Sequence, residues 1–316
     1  MTAAPPGYDA LRHGLAWADL GRRSVVSARG PDAPRFIENF ATASVIGLTP
    51  GQGTETFFTD ARGWVLALAV ALRDEDGLVL DAEPGLGERL CDHLEHYHIR
   101  ERVELADVSA DHAAVLVAGP AAEAWLVGQS APAPADRCAH AAGMLGGVAV
   151  CVMRTDWWGV PGWIARCAAT DHSRLVAWLR THDAVEAAPA AIEAARIEGG
   201  TPHPIDIREK TLPQELGRDA RAICFTKGCY LGQETVARLD ALGHVNRRLA
   251  AVAVDGSVQP GAEVRCAGEP CGTLTSACHS PRLGCGLGLG LLSTKAAAGG
   301  RLEVDGAAGR IVEVPA

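Results

Sequence analysis

The chain has 316 residues, of which 48% are hydrophobic and 21% are charged. This composition and length are typical of a globular protein of two or three packed units, and they exclude a disordered or fibrous protein. A formal net charge of −9 argues against broad nucleic-acid binding, which needs clustered Lys and Arg. No apolar run reaches the roughly 18 residues of a membrane helix, and the first residues lack signal-peptide or transit-peptide character. We therefore expect a cytoplasmic protein with no membrane partner.

Hydrophobic periodicity predicts strands and helices in irregular alternation over the first 245 residues. In chain order, strands are predicted at residues 24–28, 55–59, 64–72, 78–82, 103–108, 114–118, 147–154 and 162–167. Helices are predicted at residues 31–45, 85–98, 123–127, 173–182 and 187–198. The strands between residues 55 and 82 are separated by short turns and are expected to form an antiparallel meander. Without a regular strand–helix–strand rhythm, the pattern favours the α+β fold class.

The composition changes near residue 246, where short Val-, Leu- and Gly-rich segments begin. Such segments, separated by Pro-Gly and Gly-Glu-Pro turns, are typical of a small β-barrel. The sequence is therefore divided into an α+β region of two interleaved substructures, residues 1–245, and a C-terminal barrel, residues 246–316.

Two groups of potential metal ligands are interpreted as structural. Cys266, Cys271, Cys278 and Cys285 have gaps too wide and irregular for a zinc or cluster site, and we expect reduced, buried thiols. The histidines at positions 93, 96 and 98 form a second group on a predicted helix end, without an HExxH pattern. No metal site is predicted.

The densest polar segment covers residues 225–238. Cys229 follows Gly228, lies two residues after Lys227 and precedes a predicted helix, so a cation and a helix N-terminus can both favour its thiolate. Such a thiol could be nucleophilic, redox-active or a metal ligand. An isolated cysteine is more often structural, but the glycines on both sides of this one indicate close backbone approach.

Residues 227–234 read KGCYLGQE, which resembles the K-G-C-aromatic-x-G-Q-E signature of the YgfZ family at every specified position. Residues 196–202, RIEGGTP, resemble the family's R-I-E-A-G-x-P, with Gly199 in place of alanine. Residues 27–36 and 78–81 are similar to the N-terminal region that this family shares with the glycine-cleavage T-protein, and residues 272–276 and 287–290 resemble its closing barrel. The resemblance covers nearly the whole chain.

The resemblance implies a T-protein fold with a central pocket for tetrahydrofolate or a one-carbon derivative. It also implies an accessory role in iron–sulfur protein assembly or repair, with client or carrier proteins as partners and Cys229 as the functional thiol. Glu198 matches the family position whose carboxylate accepts hydrogen bonds from the pterin edge. Lys227 and Arg238 are candidates to face the glutamate tail or the thiol. The further predicted cofactor-binding residues are Arg196, Gly228, Tyr230, Gln233, Glu234 and Trp163.

The segment containing Trp157, Trp158 and Trp163 is an aromatic cluster in a chain with only 5% aromatic residues. Flat rings beside a pocket suit a pterin or benzoyl group, although tryptophans packing a hairpin would give the same pattern. Gly162 with Trp163 resembles the P-G-W of the family, whereas the preceding Trp pair matches no pattern.

Two other functions are considered. A tetrahydrofolate-dependent aminomethyltransferase is the alternative, but in that enzyme the KGCYLGQE segment reads more like K-x-D-F-I-G, without cysteine. The asparagines that precede its catalytic carboxylate are replaced here by Asp81-Ala82-Glu83-Pro84. A methyl-accepting domain of a sarcosine-type oxidase is disfavoured because no flavin-binding GxGxxG is found.

Overall fold

The structure, a computed structural model, describes residues 3–294 and 301–314. Within these residues the chain forms a six-stranded sheet, a five-stranded sheet and a closed barrel. Strands and short helices alternate irregularly, so the predicted α+β class is confirmed. The longest helices have ten residues, and none in this part of the chain has the length and apolar character to cross a membrane.

The six-stranded sheet has the strand order β11-β1-β7-β10-β9-β8. Its strands are β1 (Ala16–Gly21), β7 (His112–Ala118), β8 (His140–Leu145), β9 (Val148–Thr155), β10 (Gly162–Ala168) and β11 (Val185–Glu186). Only β11 runs parallel to its neighbour. The strands predicted at residues 147–154 and 162–167, now β9 and β10, are neighbours in this sheet and pair antiparallel.

The five-stranded sheet has the order β3-β4-β5-β2-β6. Its strands are β2 (Ser24–Arg29), β3 (Gly53–Thr59), β4 (Val65–Arg73), β5 (Gly77–Ala82) and β6 (Glu104–Asp107). The β3, β4 and β5 strands pair antiparallel with their sequence neighbours, which confirms the predicted meander.

The two sheets pack against one another because alternate residues of each strand point to opposite faces. Leu116 and Ile164 from the first sheet share one apolar cluster with Val70 and Val79 from the second. The outer face of the six-stranded sheet is covered by α4 (Ala122–Gly128) and α5 (His172–Leu179). The outer face of the five-stranded sheet is covered by α2 (Ala33–Glu38) and α3 (Gly87–Glu95).

Two further helices connect the sheets to the barrel. Helices α1 (Tyr8–His13) and α6 (Pro189–Glu198) pack at one end of the inter-sheet cluster. Ile197 of α6 packs on the outer surface of the barrel, so α6 holds the sheets and the barrel together. The KGCYLGQE segment follows the short helix α7 (Asp219–Ala222) and runs into helix α8 (Gln233–Leu242).

The barrel is closed, with strand order β12-β15-β14-β13-β16-β17. Its strands are β12 (Arg247–Val254), β13 (Glu263–Cys266), β14 (Glu269–Ser280), β15 (Cys285–Ser293), β16 (Leu302–Val304) and β17 (Ala307–Val312). Gly290 allows β15 to lie close to β14, because a Cβ there would be 2.3 Å from the Thr273 carbonyl oxygen. The predicted C-terminal barrel is confirmed, and Cys266 and Cys271 lie inside it, whereas Cys278 and Cys285 are only partly buried.

The predicted helix at residues 31–45 is too long, since α2 ends at Glu38. The Glu38 carboxylate accepts hydrogen bonds from the backbone N–H groups of Val45 and Ile46, at 2.6 and 3.0 Å. These bonds fold the following segment into a loop rather than a further helical turn. Helices α1 and α7 and strands β1, β8 and β11 were not predicted.

Candidate functional site

A cleft of about 280 Å³ lies between the β3–β4 turn, α3 and the segment at residues 204–210. Its lining residues are Asp60, Trp64, Val65, Leu66, Leu86, Arg89, Pro204, Ile207, Arg208, Glu209 and Lys210. A smaller space beside it is lined by Leu68, Glu83, Leu86, Trp157, Thr201, Pro202, Pro204 and Ile207. Because three lining residues are shared, the two spaces form one cleft with an outer part and a deep end.

The outer part of the cleft combines an aromatic ring with positive charge. The Lys210 ammonium lies 5.6 Å from the Trp64 ring centroid, and Arg89 and Arg208 line the same space. These three cations outnumber the two acidic lining residues, Asp60 and Glu209. An aromatic wall beside excess cations suits a ligand with a flat ring and an acidic group.

The deep end of the cleft carries a carboxylate and a nearly buried indole. Glu83 is 3.0 Å from Nη1 of Arg23, and its side chain is 26% exposed. The Arg23 guanidinium lies 5.5 Å from the Trp157 ring centroid. The deep end therefore offers an acceptor for N–H groups next to an aromatic surface.

The Trp157 indole is held by a buried ion pair beneath it. Its Nε1 donates to Glu55 at 3.0 Å, and Arg218 binds both oxygens of the same carboxylate at 2.7 Å. Both Glu55 and Arg218 are buried. Paired and hydrogen-bonded charges of this kind are tolerated in an interior and fix side-chain orientation.

Lys227 anchors the KGCYLGQE loop. Its side chain is 2% exposed, and Nζ donates to the carbonyl oxygens of Glu38, Ala41 and Ala43 at 2.7 to 2.8 Å. Burial lowers the pKa of Lys227, although the Glu38 carboxylate at 3.2 Å opposes this shift. The predicted contact of Lys227 with a glutamate tail is not what the structure shows, because the ammonium is used to dock the loop on the end of α2.

Cys229 is exposed at the surface of this anchored loop. Gly228 beside it is also exposed, and a Cβ at that position would meet nothing within 4 Å. The docking of Lys227 therefore presents an accessible thiol from a fixed backbone. The Lys227 side chain is buried and Cys229 is exposed, although the two residues are only two positions apart.

A second thiol, which the sequence did not single out, lies three residues before this loop. Cys224 Sγ lies 3.5 Å from the Thr226 hydroxyl. The pKa of Cys224 is lowered, chiefly by the hydrogen bond with the Thr226 side chain. The positive charge of Lys227 lowers it further. The Cys-x₄-Cys spacing with Cys229 was the available signal.

The β3–β4 turn connects the thiol loop to the cleft. The Thr59 hydroxyl donates to the Leu231 carbonyl oxygen at 2.7 Å. Gly232 has φ +83°, and a Cβ there would lie 2.6 Å from the carbonyl oxygen of Asp60. Asp60 and Trp64 of this turn line the cleft. The loop and the cleft thus share one structural element.

Four other predicted residues of this segment support the loop or face solvent. Tyr230 is buried, and the Lys227 ammonium lies 5.3 Å from the centroid of the Tyr230 ring. Burial raises the pKa of Tyr230 to about 12. Gln233 Nε2 donates to the Gly228 carbonyl oxygen at 3.4 Å. Glu234 and Arg238 are exposed on α8. Neither Glu234 nor Arg238 lines the cleft.

Glu198 lies away from the cleft, at the end of α6. It is 0% exposed, and its carboxylate accepts hydrogen bonds from the hydroxyls of Tyr8, at 2.6 Å, and Ser280. Arg12 is 3.3 Å from the same carboxylate. The expected pterin contact is not supported by this placement, because the oxygens are already engaged by α1 and the barrel. Glu83 is the carboxylate at the deep end.

Arg196 is also part of the junction between α6 and the barrel. Its guanidinium donates to the Asp206 carboxylate at 3.0 Å, to the Ser276 hydroxyl at 2.7 Å and to the Thr201 carbonyl oxygen at 2.6 Å. Glu193 is bound bidentately, at 2.6 and 2.8 Å. The donors of Arg196 are bound inside the protein, so its predicted folate contact is not supported by this placement.

The aromatic cluster is split between two faces of the six-stranded sheet. Trp163 lies on the outer face, 1% exposed, and its Nε1 donates to the Pro134 carbonyl oxygen at 3.0 Å. Trp157 and Trp158 lie in the inter-sheet cluster. Trp163 packs under α4 and α5 and lines neither part of the cleft, so its cofactor contact stays a prediction that this placement does not support.

The histidine group is likewise accounted for by local packing. The His98 ring nitrogens contact the Glu95 carboxylate at 3.2 Å and the Glu101 carbonyl oxygen at 2.8 Å. The His93 ring packs against Phe40 and Tyr97. Over residues 3–294 and 301–314, no group of three or more His, Cys, Asp or Glu side chains is arranged to hold a metal ion.

The fold and the cleft define a class: an α+β protein with a C-terminal barrel and a cleft suited to a flat, acidic small molecule. Residues 6–224 match the model of the GCVT N-terminal domain, and residues 247–316 match the glycine cleavage T-protein C-terminal barrel domain. The chain belongs to the glycine-cleavage T-protein family.

Comparisons with individual proteins agree with this assignment. The chain is 26% identical to a putative chloroplastic transferase of Arabidopsis thaliana, covering 97% of this chain and 72% of that protein. It is 27% identical to an aminomethyltransferase of Mycobacterium leprae, covering 97% and 85%. A mitochondrial iron–sulfur cluster assembly factor IBA57 homolog of Pyricularia oryzae is 27% identical, covering 73% of this chain and 55% of that protein.

A solved structure shows the same fold. The aminomethyltransferase T of the glycine cleavage system from Bartonella henselae superposes with a TM-score of 0.85 at 18% identity, covering 98% of this chain and 88% of that chain.

Proposed function

We propose that this protein binds tetrahydrofolate, or a one-carbon derivative, and acts as an accessory factor in iron–sulfur protein assembly or repair. Cys229 is the working thiol. The observation that carries the proposal is the exposed Cys229 on a loop anchored by Lys227. The similarity to an iron–sulfur cluster assembly factor homolog supports the same role.

The cleft supports folate binding by its chemistry. A pterin ring would stack on Trp157 and donate its N–H groups to Glu83, while the glutamate tail would meet Arg89, Arg208 and Lys210. The deep end holds only about 10 Å³ of free space, so the proposal requires it to open when the ring enters. This assignment replaces Glu198 by Glu83 as the proposed pterin carboxylate.

Ligand counting limits what the thiol does. A [2Fe–2S] or [4Fe–4S] cluster is typically held by about four protein ligands, so Cys229 alone does not hold one stably. A client or carrier protein must supply the other ligands, or the thiol acts by exchange with a partner's sulfur. Either role requires an exposed cysteine on a fixed backbone, and the loop provides one.

The test combines calorimetric titration of the purified protein with tetrahydrofolate and an assay of client enzymes in cells that lack the protein. Cys229→Ser is expected to keep folate affinity and abolish support of the clients. Cys285→Ser, a partly buried barrel thiol, is the matched control and is expected to behave as wild type. Full client activity with Cys229→Ser would show that the thiol is not needed for the function. Failure of the purified protein to bind tetrahydrofolate would show that the cleft is not a folate site.

An aminomethyltransferase is the second candidate function. Similarity to aminomethyltransferases over nearly the whole chain favours it, as does the carboxylate of Glu83 in the cleft. Asp81 is not available as a catalytic acid, because it is buried between Arg23 and Arg166. Turnover of the glycine-cleavage half-reaction by the purified protein, lost with Glu83→Gln, would establish this function instead.

We also propose that the protein is cytoplasmic and that the chain divides into residues 1–245 and residues 246–316. The start of the first barrel strand at Arg247 supports the division.

A further inference from the structure

A second and larger cavity, of about 610 Å³, lies between the two sheets. It is lined by Val25, Ser27, Arg29, Pro50, Gly51, Leu72, Asp74, Glu75, Val79, Val108, His112, His140, Ala141, Ala142, Cys151 and Arg166. Its volume falls in the range of small-molecule sites, roughly 300 to 1,000 Å³. It shares no lining residue with the cleft described above, so it is a separate space.

Arg166 supplies positive charge to this cavity. Its side chain is 12% exposed, and its Nη1 lies 3.4 Å from the nearer oxygen of Asp81. Asp81 forms a shorter contact, 2.7 Å, with Nε of Arg23 on its other side. One buried carboxylate is thus shared between two guanidinium groups, and Arg166 has the longer contact. Arg166 therefore has the looser ion pair of the two.

The other titratable side chains that line the cavity are neutral, ion-paired or exposed to solvent. Burial, and then the Arg166 charge, lowers the pKa of both His112 and His140, so the two imidazoles are neutral near pH 7. Asp74 is ion-paired with Arg29, and Glu75 is exposed. The Cys151 thiol is uncharged, because burial raises its pKa. Of the two lining arginines, Arg166 has the longer ion-pair contact and is the one available to a ligand carboxylate.

The rest of the wall is mainly apolar. Val25, Leu72 and Val79 belong to the inter-sheet cluster, and Val108 packs against it. An apolar wall with few polar groups is the usual composition of a small-molecule site, in which the polar groups fix orientation. A guanidinium binds a carboxylate more strongly than it binds a neutral acceptor.

We propose that this inter-sheet cavity binds a small carboxylic acid with an apolar body, its carboxylate on Arg166 and its body against the valine and leucine side chains. Through Asp81 and Arg23 the site is connected to Glu83 at the deep end of the cleft, 3.0 Å from Arg23. The inference does not depend on folate binding or on Cys229.

The test is ligand-observed NMR of the full chain with two aliphatic probes, hexanoate and 4-methylpentanoate, which lack the flat ring that suits the cleft. Their neutral amides serve as ligand controls. Arg166→Gln is expected to weaken carboxylate binding about tenfold, since it replaces a charged hydrogen bond by a neutral one. Ala142→Trp, at an exposed lining position, is expected to block the cavity while leaving the fold unchanged.

Arg174→Gln, at an exposed arginine that lines neither the cavity nor the cleft, is the matched protein control and is expected to leave carboxylate binding unchanged. The proposal is overturned if neither carboxylate binds, if the amides bind as well, or if binding survives Ala142→Trp. It is also overturned if Arg208→Gln, in the separate cleft, abolishes binding, because the carboxylate then occupies the cleft. Ala142→Trp keeps the test valid even where Arg166→Gln unfolds the protein.

Discussion

The thiol loop and the junction between α6 and the barrel both carry family-like motifs, yet they differ in how their polar groups are satisfied. In the loop, Lys227 is buried and bonded to three carbonyl oxygens while Cys229 remains exposed. At the junction, Arg196 and Glu198 are both buried and hydrogen-bonded within the protein. The comparison teaches that a motif can mark a reactive surface or a structural joint, and that burial separates the two.

The largest expected effect concerns the junction. Arg196→Met leaves the 0%-exposed Asp206 without its cation, so the free energy of unfolding should fall by about 3 kcal/mol. Chemical denaturation would measure this. Arg174→Met, a matched helical arginine that is 60% exposed, should change stability by less than about 0.5 kcal/mol. Equal effects of the two substitutions would show that the junction is not structural.

The next effect concerns the thiol loop. Lys227→Met leaves the carbonyl oxygens of Glu38, Ala41 and Ala43 without their shared donor, and should cost about 2 kcal/mol of stability. Hydrogen exchange should show faster opening of the loop. Arg238→Met, in the same segment but exposed, is the control and should leave both properties unchanged. An unaltered loop in Lys227→Met would contradict the anchoring role.

A smaller effect is expected at the deep end of the cleft. Glu83→Gln should weaken tetrahydrofolate binding roughly tenfold, because a charged acceptor is replaced by a neutral one. Calorimetric titration would measure the change. Glu198→Gln is the matched comparison: its carboxylate faces Tyr8 and Ser280, so stability and not affinity should fall. The reverse pattern would return the pterin contact to Glu198.

The smallest effect concerns thiol reactivity and pH. Iodoacetamide reacts with the thiolate, so Cys224, whose pKa is lowered by Thr226, should be alkylated at a lower pH than an ordinary cysteine. Burial raises the pKa of Cys278 to about 12, so this thiol should resist alkylation up to pH 9. Thr226→Val removes the hydroxyl donor and should slow Cys224 severalfold at neutral pH. Peptide mass mapping would follow each thiol, and unchanged rates would contradict the proposed cause.

Local patterns were sufficient for much of the fold. Alternating apolar residues predicted the β3–β4–β5 meander, and repeated short Gly-rich strands predicted the barrel. The helix at residues 31–45 failed because Glu38 bonds the backbone of Val45 and Ile46, a contact that helical periodicity does not encode. Strand β1 is short, contains no β-branched residue and is interrupted by Asp19, so its place beside β7 became evident only in the sheet.

The amino-acid sequence by itself determined the fold class, the family resemblance and the position of the unusual thiol, because each depends on residues that are neighbours in the chain. The cleft was decided only by tertiary structure. It joins Trp64, Glu83, Trp157 and Arg208, which are distant in sequence and meet where the two sheets approach the segment before α7. Burial was decided in the same way, since it depends on which groups pack over a side chain. The sequence could not show that the side chains of Lys227 and Arg196 are bound within the protein.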